Sequence, residues 1–181
     1  MSRYRPVELL AAKHDFSAFD CGSAEQTSWL QRHALSAQQA DTARVYVVCR
    51  TSDERVVAYY SLVAGGVQPH DASARLRAGT GRYPIPVVIL ARLGVDVQEQ
   101  GRGLGAALLR DALLQTAAVA TKVGVRALLV HAESDAAARF YRHFDPAFEP
   151  SPTDPLHLIL LMKNIRGAIR QAANNPAIRR A

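Results

Sequence analysis

Three observations in the sequence predict an α/β fold. Residues 87–95 are rich in β-branched and apolar side chains and read as a buried strand. That strand leads through Gln100-Gly-Arg-Gly-Leu-Gly105 into a helix from about 103 to about 120, where Leu104, Leu108, Leu109 and Leu113 recur at helical spacing. A strand hairpin precedes this unit, and a second strand and helix, residues 127–131 and 135–144, follow it.

Residues 6–10, Pro-Val-Glu-Leu-Leu, are a candidate first strand. Ser23 and Gln26 have the spacing of a capping box and open a helix whose apolar stripe is Trp29-Leu30, His33-Ala34 and Ala37. Residues 44–50, with Val45, Val47 and Val48 inside, form a strand. Thr51-Ser-Asp-Glu54 supplies turn chemistry, and residues 55–64 return as the second arm of a hairpin. Residues 65–86 differ in character: they carry His70, Arg75, Arg77 and Arg82 against one acid, Asp71, and end irregularly in Gly79-Thr-Gly81 and Pro84-Ile-Pro86. A connection this long is either functional or mobile, or a solvated surface segment with a short helix. There is no internal repeat.

The glycine-rich stretch carries the first functional signal. A helix start has unpaired backbone N–H groups and a partial positive charge, and glycines let a phosphate approach the chain closely. A tight turn with no ligand would use glycines too. Two other phosphate loops are excluded. A Walker loop ends in Gly-Lys-Ser/Thr, whereas Gly105 is followed by Ala106-Ala107; a dinucleotide turn needs a third glycine where Leu108 stands.

Composition narrows the class further. A chain of 181 residues, 49% hydrophobic, is long enough for one globular domain with a substantial core. No apolar run reaches the roughly 20 residues that cross a bilayer, and no signal peptide is visible. Cys21 and Cys49 are too few for a disulfide framework and too isolated for a metal site, so a reduced, cytoplasmic setting is expected, without metal or membrane. The net charge is +6, and the end of the chain holds Lys163, Arg166, Arg170, Arg179 and Arg180 without an acid. Such a tail is either a solvated basic segment or an electrostatic contact for a polyanion, nucleic acid above all.

What remains at the turn, Q-x-x-G-x-G between strand and helix, resembles the acetyl-CoA pyrophosphate loop of the GNAT superfamily of N-acetyltransferases. Gln100-Gly-Arg-Gly-Leu-Gly-Ala-Ala-Leu-Leu109, Ala127-Leu-Leu-Val-His131 and Ala138-Arg-Phe-Tyr141 follow the order of that superfamily. The resemblance implies a GNAT fold: a mixed central β-sheet flanked by helices, with splayed central strands holding acetyl-CoA. It implies one acetyltransferase domain at 1–163 and a basic C-terminal tail, solvated or disordered, at 164–181.

It also implies roles for single residues. Backbone groups of Leu93, Gly94 and Val95 would pair with the pantetheine arm and the thioester. Gln100, Gly101, Arg102, Gly103, Leu104, Gly105 and Ala106 would form the pyrophosphate site, with Ser134 also on the cofactor side. Tyr141 would be the general acid that protonates the departing thiolate; as plain sequence, Phe140-Tyr141 is equally a core aromatic pair. No general base stands out, Glu133, Asp96 and His131 being unsupported candidates. An acceptor that is already largely neutral needs none: an α-amino group has a pKa of about 7.7 to 8.0, against about 10.4 for lysine, and an adjacent ester, which withdraws electrons, lowers it further.

A narrower resemblance covers most of residues 5–162. Phe19-Asp-Cys-Gly22 ahead of Trp29-Leu30, the pair Phe140-Tyr141, and Glu149-Pro-Ser-Pro-Thr-Asp-Pro-Leu-His-Leu158 are similar to the acetyltransferase toxins of type II toxin–antitoxin modules. This implies transfer of acetyl from acetyl-CoA to the α-amino group of aminoacyl-tRNA, with arrest of translation. It implies tRNA binding through arginine-rich surfaces, for which Arg77, Arg82 and Arg92 are the candidates by position on the basic segment and the strand that follows it, together with neutralisation by a ribbon-helix-helix antitoxin and a homodimer. Two alternatives stay open: an acetyltransferase for a small amine or a protein amine, and a non-catalytic CoA- or nucleic-acid-binding module.

Overall fold

The computed structural model describes residues 2–174, and they pack as two compact units. One holds the chain up to Val63 together with Leu90–Ala112; the other holds Ala64–Ile89 and the chain from Leu113 on. Seven strands form a sheet in the order β1-β2-β3-β4-β5-β7-β6: Glu8–Leu9, Arg44–Cys49, Val56–Val67, Ile85–Val95, Ala127–His131, Glu149–Pro150 and His157–Leu161 are β1 to β7 in chain order. The helices are α1 Ala24–Arg32, α2 Ala34–Gln39, α3 Ala74–Arg77, α4 Leu104–Val119, α5 Asp135–Phe144 and α6 Met162–Asn174.

The first unit is built on the expected hairpin. β2 and β3 pair antiparallel, with Val47 opposite Tyr59 and a bulge at Cys49, and β1 adds along the other side of β2. Their shared face buries Leu10, Phe19, Leu30, Val45, Val47 and Tyr59 in one core cluster. The Ser23 hydroxyl caps α1 by accepting from the Gln26 N–H at 3.3 Å. The single helix expected from the stripe is broken at His33, whose φ of −123° is not helical, so α1 and α2 are separate. The first strand is also shorter than residues 6–10, covering only Glu8–Leu9.

In the second unit, β3 continues to Val67 and β4 begins at Ile85, so the irregular connection is shorter than its sequence reads. Gly65 lies within β3, and a side chain there would overlap Ile89. Between the strands lie a turn of 3-10 helix at Pro69–Asp71 and the short α3. The Arg126 N–H donates to the Pro86 carbonyl at 2.8 Å, matching the start of β5 to the start of β4; the strands therefore run parallel, joined through α4. β5 and β7 pair antiparallel from Ala127↔Leu161 to His131↔His157, which makes the sheet mixed. Leu76, Ile85, Val87, Leu129, Ile159 and Leu161 form this unit's core cluster.

The expected tail at 164–181 is helical as far as the description reaches. Met162, Ile165 and Ile169 recur at helical spacing, and Met162 and Ile165 are buried. Arg179 and Arg180 lie outside the described residues. Among the described residues, no helix is long and apolar enough to cross a membrane.

Candidate active site

The end of β4 carries the first group of sequence candidates. Leu93 and Val95 are half-buried, and Gly94 is buried where a side chain has no room: an ideal Cβ would lie 3.0 Å from Tyr59 Cε1 and 3.4 Å from both Cys21 Sγ and Phe19 Cζ. Only glycine lets the strand backbone pass this close to the aromatic core.

Beyond the strand, residues 96–103 form a tethered loop. The buried Asp96 donates its N–H to Val57 O at 2.8 Å and accepts from the Asp20 and Gln98 N–H groups through its carboxylate. Gln100 Nε2 donates to Cys21 O at 3.1 Å and to Val95 O at 3.0 Å, so the side chain expected at the pyrophosphate site instead holds the loop to the strand end. Gly101 and Gly103 have φ of +75° and +83°, the left-handed region that glycine tolerates, and both face open space. The first loop-to-helix bond is Ala107 N–H to Gly103 O at 3.0 Å, and helix geometry leaves the N–H groups of Leu104, Gly105 and Ala106 without an intrahelical acceptor. A run of exposed glycine backbone leading into helix-start N–H groups suits a phosphate or pyrophosphate. That is the fit expected for the CoA end of acetyl-CoA.

Glu99 was not flagged by the sequence, yet it is the hub beneath this loop. It is 1% exposed and receives Arg3 through both carboxylate oxygens at 3.1 and 3.2 Å, the Tyr4 hydroxyl at 2.6 Å, and Arg50 Nε at 3.1 Å. Arg102 adds its Nε at 3.2 Å. These donors, Arg3 and Tyr4 foremost, hold the carboxyl down to about 2. The only local signal is Arg102 three residues on; Arg3 and Arg50, which complete the cluster, are 96 and 49 residues away along the chain. Arg92, on the same strand end, pairs with Glu25 at 2.9 Å and lies 5.3 Å over the Trp29 ring.

The remaining candidates belong to the second unit. Ser134 accepts from the Ala137 N–H at 3.2 Å and so is the N-cap of α5, a structural task that sequence reading did not assign to it. Two turns on, Tyr141 is buried, its ring set against Phe140 at 5.2 Å and Phe148 at 5.8 Å. Among the described residues its hydroxyl has no hydrogen-bond partner, and burial raises its pKa well above the ordinary phenol value. His131 stacks on His157 at 4.1 Å, and its pKa is lowered by burial and by its neighbour. In the basic segment, Arg75 pairs with Glu149, whereas Arg77 and Arg82 are exposed and pair with no carboxylate among the described residues. Arg82 lies 5.6 Å over the Tyr83 ring, and Arg126 donates to the carbonyls of Arg75, Leu76 and Ala78, capping the end of α3.

Cys49 is less isolated than its sequence spacing implies, since it meets Glu8 and His14. His14 Nδ1 accepts from the Ala11 N–H at 2.9 Å, which places the ring proton on Nε2, the nitrogen 3.3 Å from Glu8. That nitrogen therefore has no lone pair to offer a cation.

With the glycine loop and the tyrosine placed, the chain can be set beside known proteins. Residues 41–145 match the acetyltransferase (GNAT) domain, and the chain belongs to the GNAT acetyltransferase family. It is 45% identical to the tRNA-acetylating toxin of Mycobacterium tuberculosis (strain ATCC 25618 / H37Rv), over 93% of this chain and 99% of the relative. It is 28% identical to the probable toxin TacT of Sinorhizobium fredii (strain NBRC 101917 / NGR234), over 85% of this chain and 88% of that protein. Among solved structures, AtaT complexed with acetyl-methionyl-tRNAfMet superposes with a TM-score of 0.82 at 27% identity, covering 91% of this chain and 98% of that one. A mutant of the AtaT toxin bound to the C-terminus of the antitoxin AtaR and to acetyl-CoA superposes with a TM-score of 0.78 at 27% identity, over 93% of this chain and 99% of that one.

Proposed function

We propose that this chain is the toxin of a type II toxin–antitoxin module, an enzyme that moves acetyl from acetyl-CoA to the α-amino group of aminoacyl-tRNA and so blocks translation. The observation that carries the acceptor is the 45% identity, over nearly the full length of both chains, to a tRNA-acetylating toxin. The open glycine backbone at Gly101 and Gly103 and the free N–H groups that follow support the cofactor side.

Acetyl-CoA supplies an activated acyl group whose leaving atom is sulfur. Backbone groups of Leu93, Gly94 and Val95 would align the thioester, and N–H groups from Gly101 to Ala106 would hold the pyrophosphate. The acceptor amine, in its neutral form, attacks the thioester carbonyl; its nitrogen sheds a proton to solvent as the amide forms, the carbon–sulfur bond breaks, and the departing sulfur needs a proton. Tyr141 is suited to give it: burial keeps the phenol protonated at neutral pH, and no protein acceptor among the described residues competes for its hydrogen. The lowered pKa of His131 keeps that ring neutral as well, but the low basicity of an α-amine removes the need for a strong base. Arg77 and Arg82, exposed and unpaired with acids, suit tRNA phosphates; Arg92, tied to Glu25 and Trp29, suits them less. A ribbon-helix-helix antitoxin, a homodimer and a cytoplasmic site complete this reading.

The test is transfer of labelled acetyl from acetyl-CoA to total aminoacylated tRNA, with deacylated tRNA as control. Label should appear on charged tRNA alone, and Tyr141→Phe should lower turnover by roughly 10²–10⁴-fold with acetyl-CoA binding nearly kept. Label on small amines or proteins instead would move the acceptor to those classes. An unchanged rate in the Tyr141→Phe protein would remove the phenol from the mechanism.

A further inference from the structure

We propose that Glu99 is a positioning residue for acetyl-CoA. It ties the N-terminal segment and the hairpin tip to the glycine loop, and thereby fixes the backbone that receives the pyrophosphate. The proposal rests on the reading of that loop as the acetyl-CoA site.

The geometry is a clasp. Thr51 N–H donates to Arg3 O and Arg5 N–H to Cys49 O, each at 2.9 Å, so the N-terminal segment lies hydrogen-bonded along the hairpin tip. Arg3, Tyr4 and Arg50 converge from there on the Glu99 carboxylate, which sits two residues before Gly101. Arg102, inside the loop, reaches the same carboxylate from the other side. Asp53 draws Arg50 by a second pair at 2.8 Å. The glycines at 101 and 103 have no side chain to pack, and nothing lies within 4 Å of either ideal Cβ. Gln100 ties the loop to Cys21 O and Val95 O on one side of Gly101, and the Glu99–Arg102 pair adds a charged tie that spans it. Glycine-rich backbone is the most costly kind to order, so a loop fixed before the ligand arrives binds it more tightly.

Charge alone predicts the opposite effect. Removing the Glu99 carboxylate makes the region more cationic, which would attract a pyrophosphate. The arginines concerned are partly exposed, from 22% to 53%, so their field is screened, while the loss of loop order is not. Positioning should win.

The experiment is calorimetric binding of acetyl-CoA to the full chain and to two variants, Glu99→Gln and Arg3→Ala. The second removes only an exposed side chain, so it remains readable if the first fails to fold. Expected are a dissociation constant raised about tenfold in Glu99→Gln and about threefold in Arg3→Ala, with kcat at saturating acetyl-CoA within about twofold of the parent. An unchanged or tighter constant in both variants would overturn the proposal, as would a fall in kcat with KM unaltered. Failure of the parent itself to bind acetyl-CoA would instead overturn the reading of the loop.

Discussion

Gly94 shows what a single missing methyl group does. Its neighbour Tyr59 cannot yield, because the ring is fully buried, its hydroxyl donates to Gln26 O at 2.8 Å, and Phe19 meets it edge-on at 5.5 Å. Gly94→Ala should therefore cost about 1–3 kcal/mol through overpacking, or a Tm lower by roughly 3–9 °C for a chain of this size. Thermal unfolding followed by circular dichroism would check it, and a Tm within 1 °C of the parent would mean that the ring can move. The glycine itself was legible as part of a strand-end pattern. The tyrosine, cysteine and phenylalanine that demand it lie 35 to 75 residues earlier in the sequence, and nothing in their local pattern joins them to it.

At the scale of elements, the helices whose ends carry chemistry were the legible ones. α4 begins within one residue of its expected start, because left-handed glycine at 103 fixes the turn that opens it. α5 matches its expected span because Ser134 caps it. α6 was hidden: it carries Gly167, lacks acids in its first turn and has a run of cations that reads as tail. The cap at Ser134 separates two roles for one side chain. Ser134→Ala should lose about 1 kcal/mol of stability, while Ser134→Asp, another good N-cap, should keep it. If acetyl-CoA affinity also survives Ser134→Asp, Ser134 serves the helix alone. A loss of affinity there, with the Tm held, would place the hydroxyl against the cofactor.

The whole molecule's response to acid includes the contribution of a carboxylate that no reading of the sequence singled out. Glu99 titrates at about 2 in the folded chain, against an ordinary value near 4.5. The unfolded chain thus binds this proton more readily than the folded one. The stability it adds is complete above about pH 4.5 and is lost as the pH falls towards 2. Urea unfolding at pH 6 and at pH 3 should show the parent losing more stability over that interval than Glu99→Gln does. Equal losses would assign acid sensitivity to other groups. Long-range convergence of this kind, with Arg3 and Arg50 meeting on one acid, is where sequence reading stops: charge pairs separated by tens of residues have no periodicity to betray them.

The stack of Arg92 over Trp29, and of Trp29 on Tyr59 at 6.1 Å, has an optical consequence. Trp29 is the only tryptophan in the chain. Its indole, in α1, meets a guanidinium from the end of β4 and a phenol from β3, so the protein's red-edge fluorescence comes from one emitter in contact with the strand end that leads to the glycine loop. Any shift of Arg92 from the ring changes the surroundings of that one emitter, so its emission is a built-in reporter of how the strand end is held.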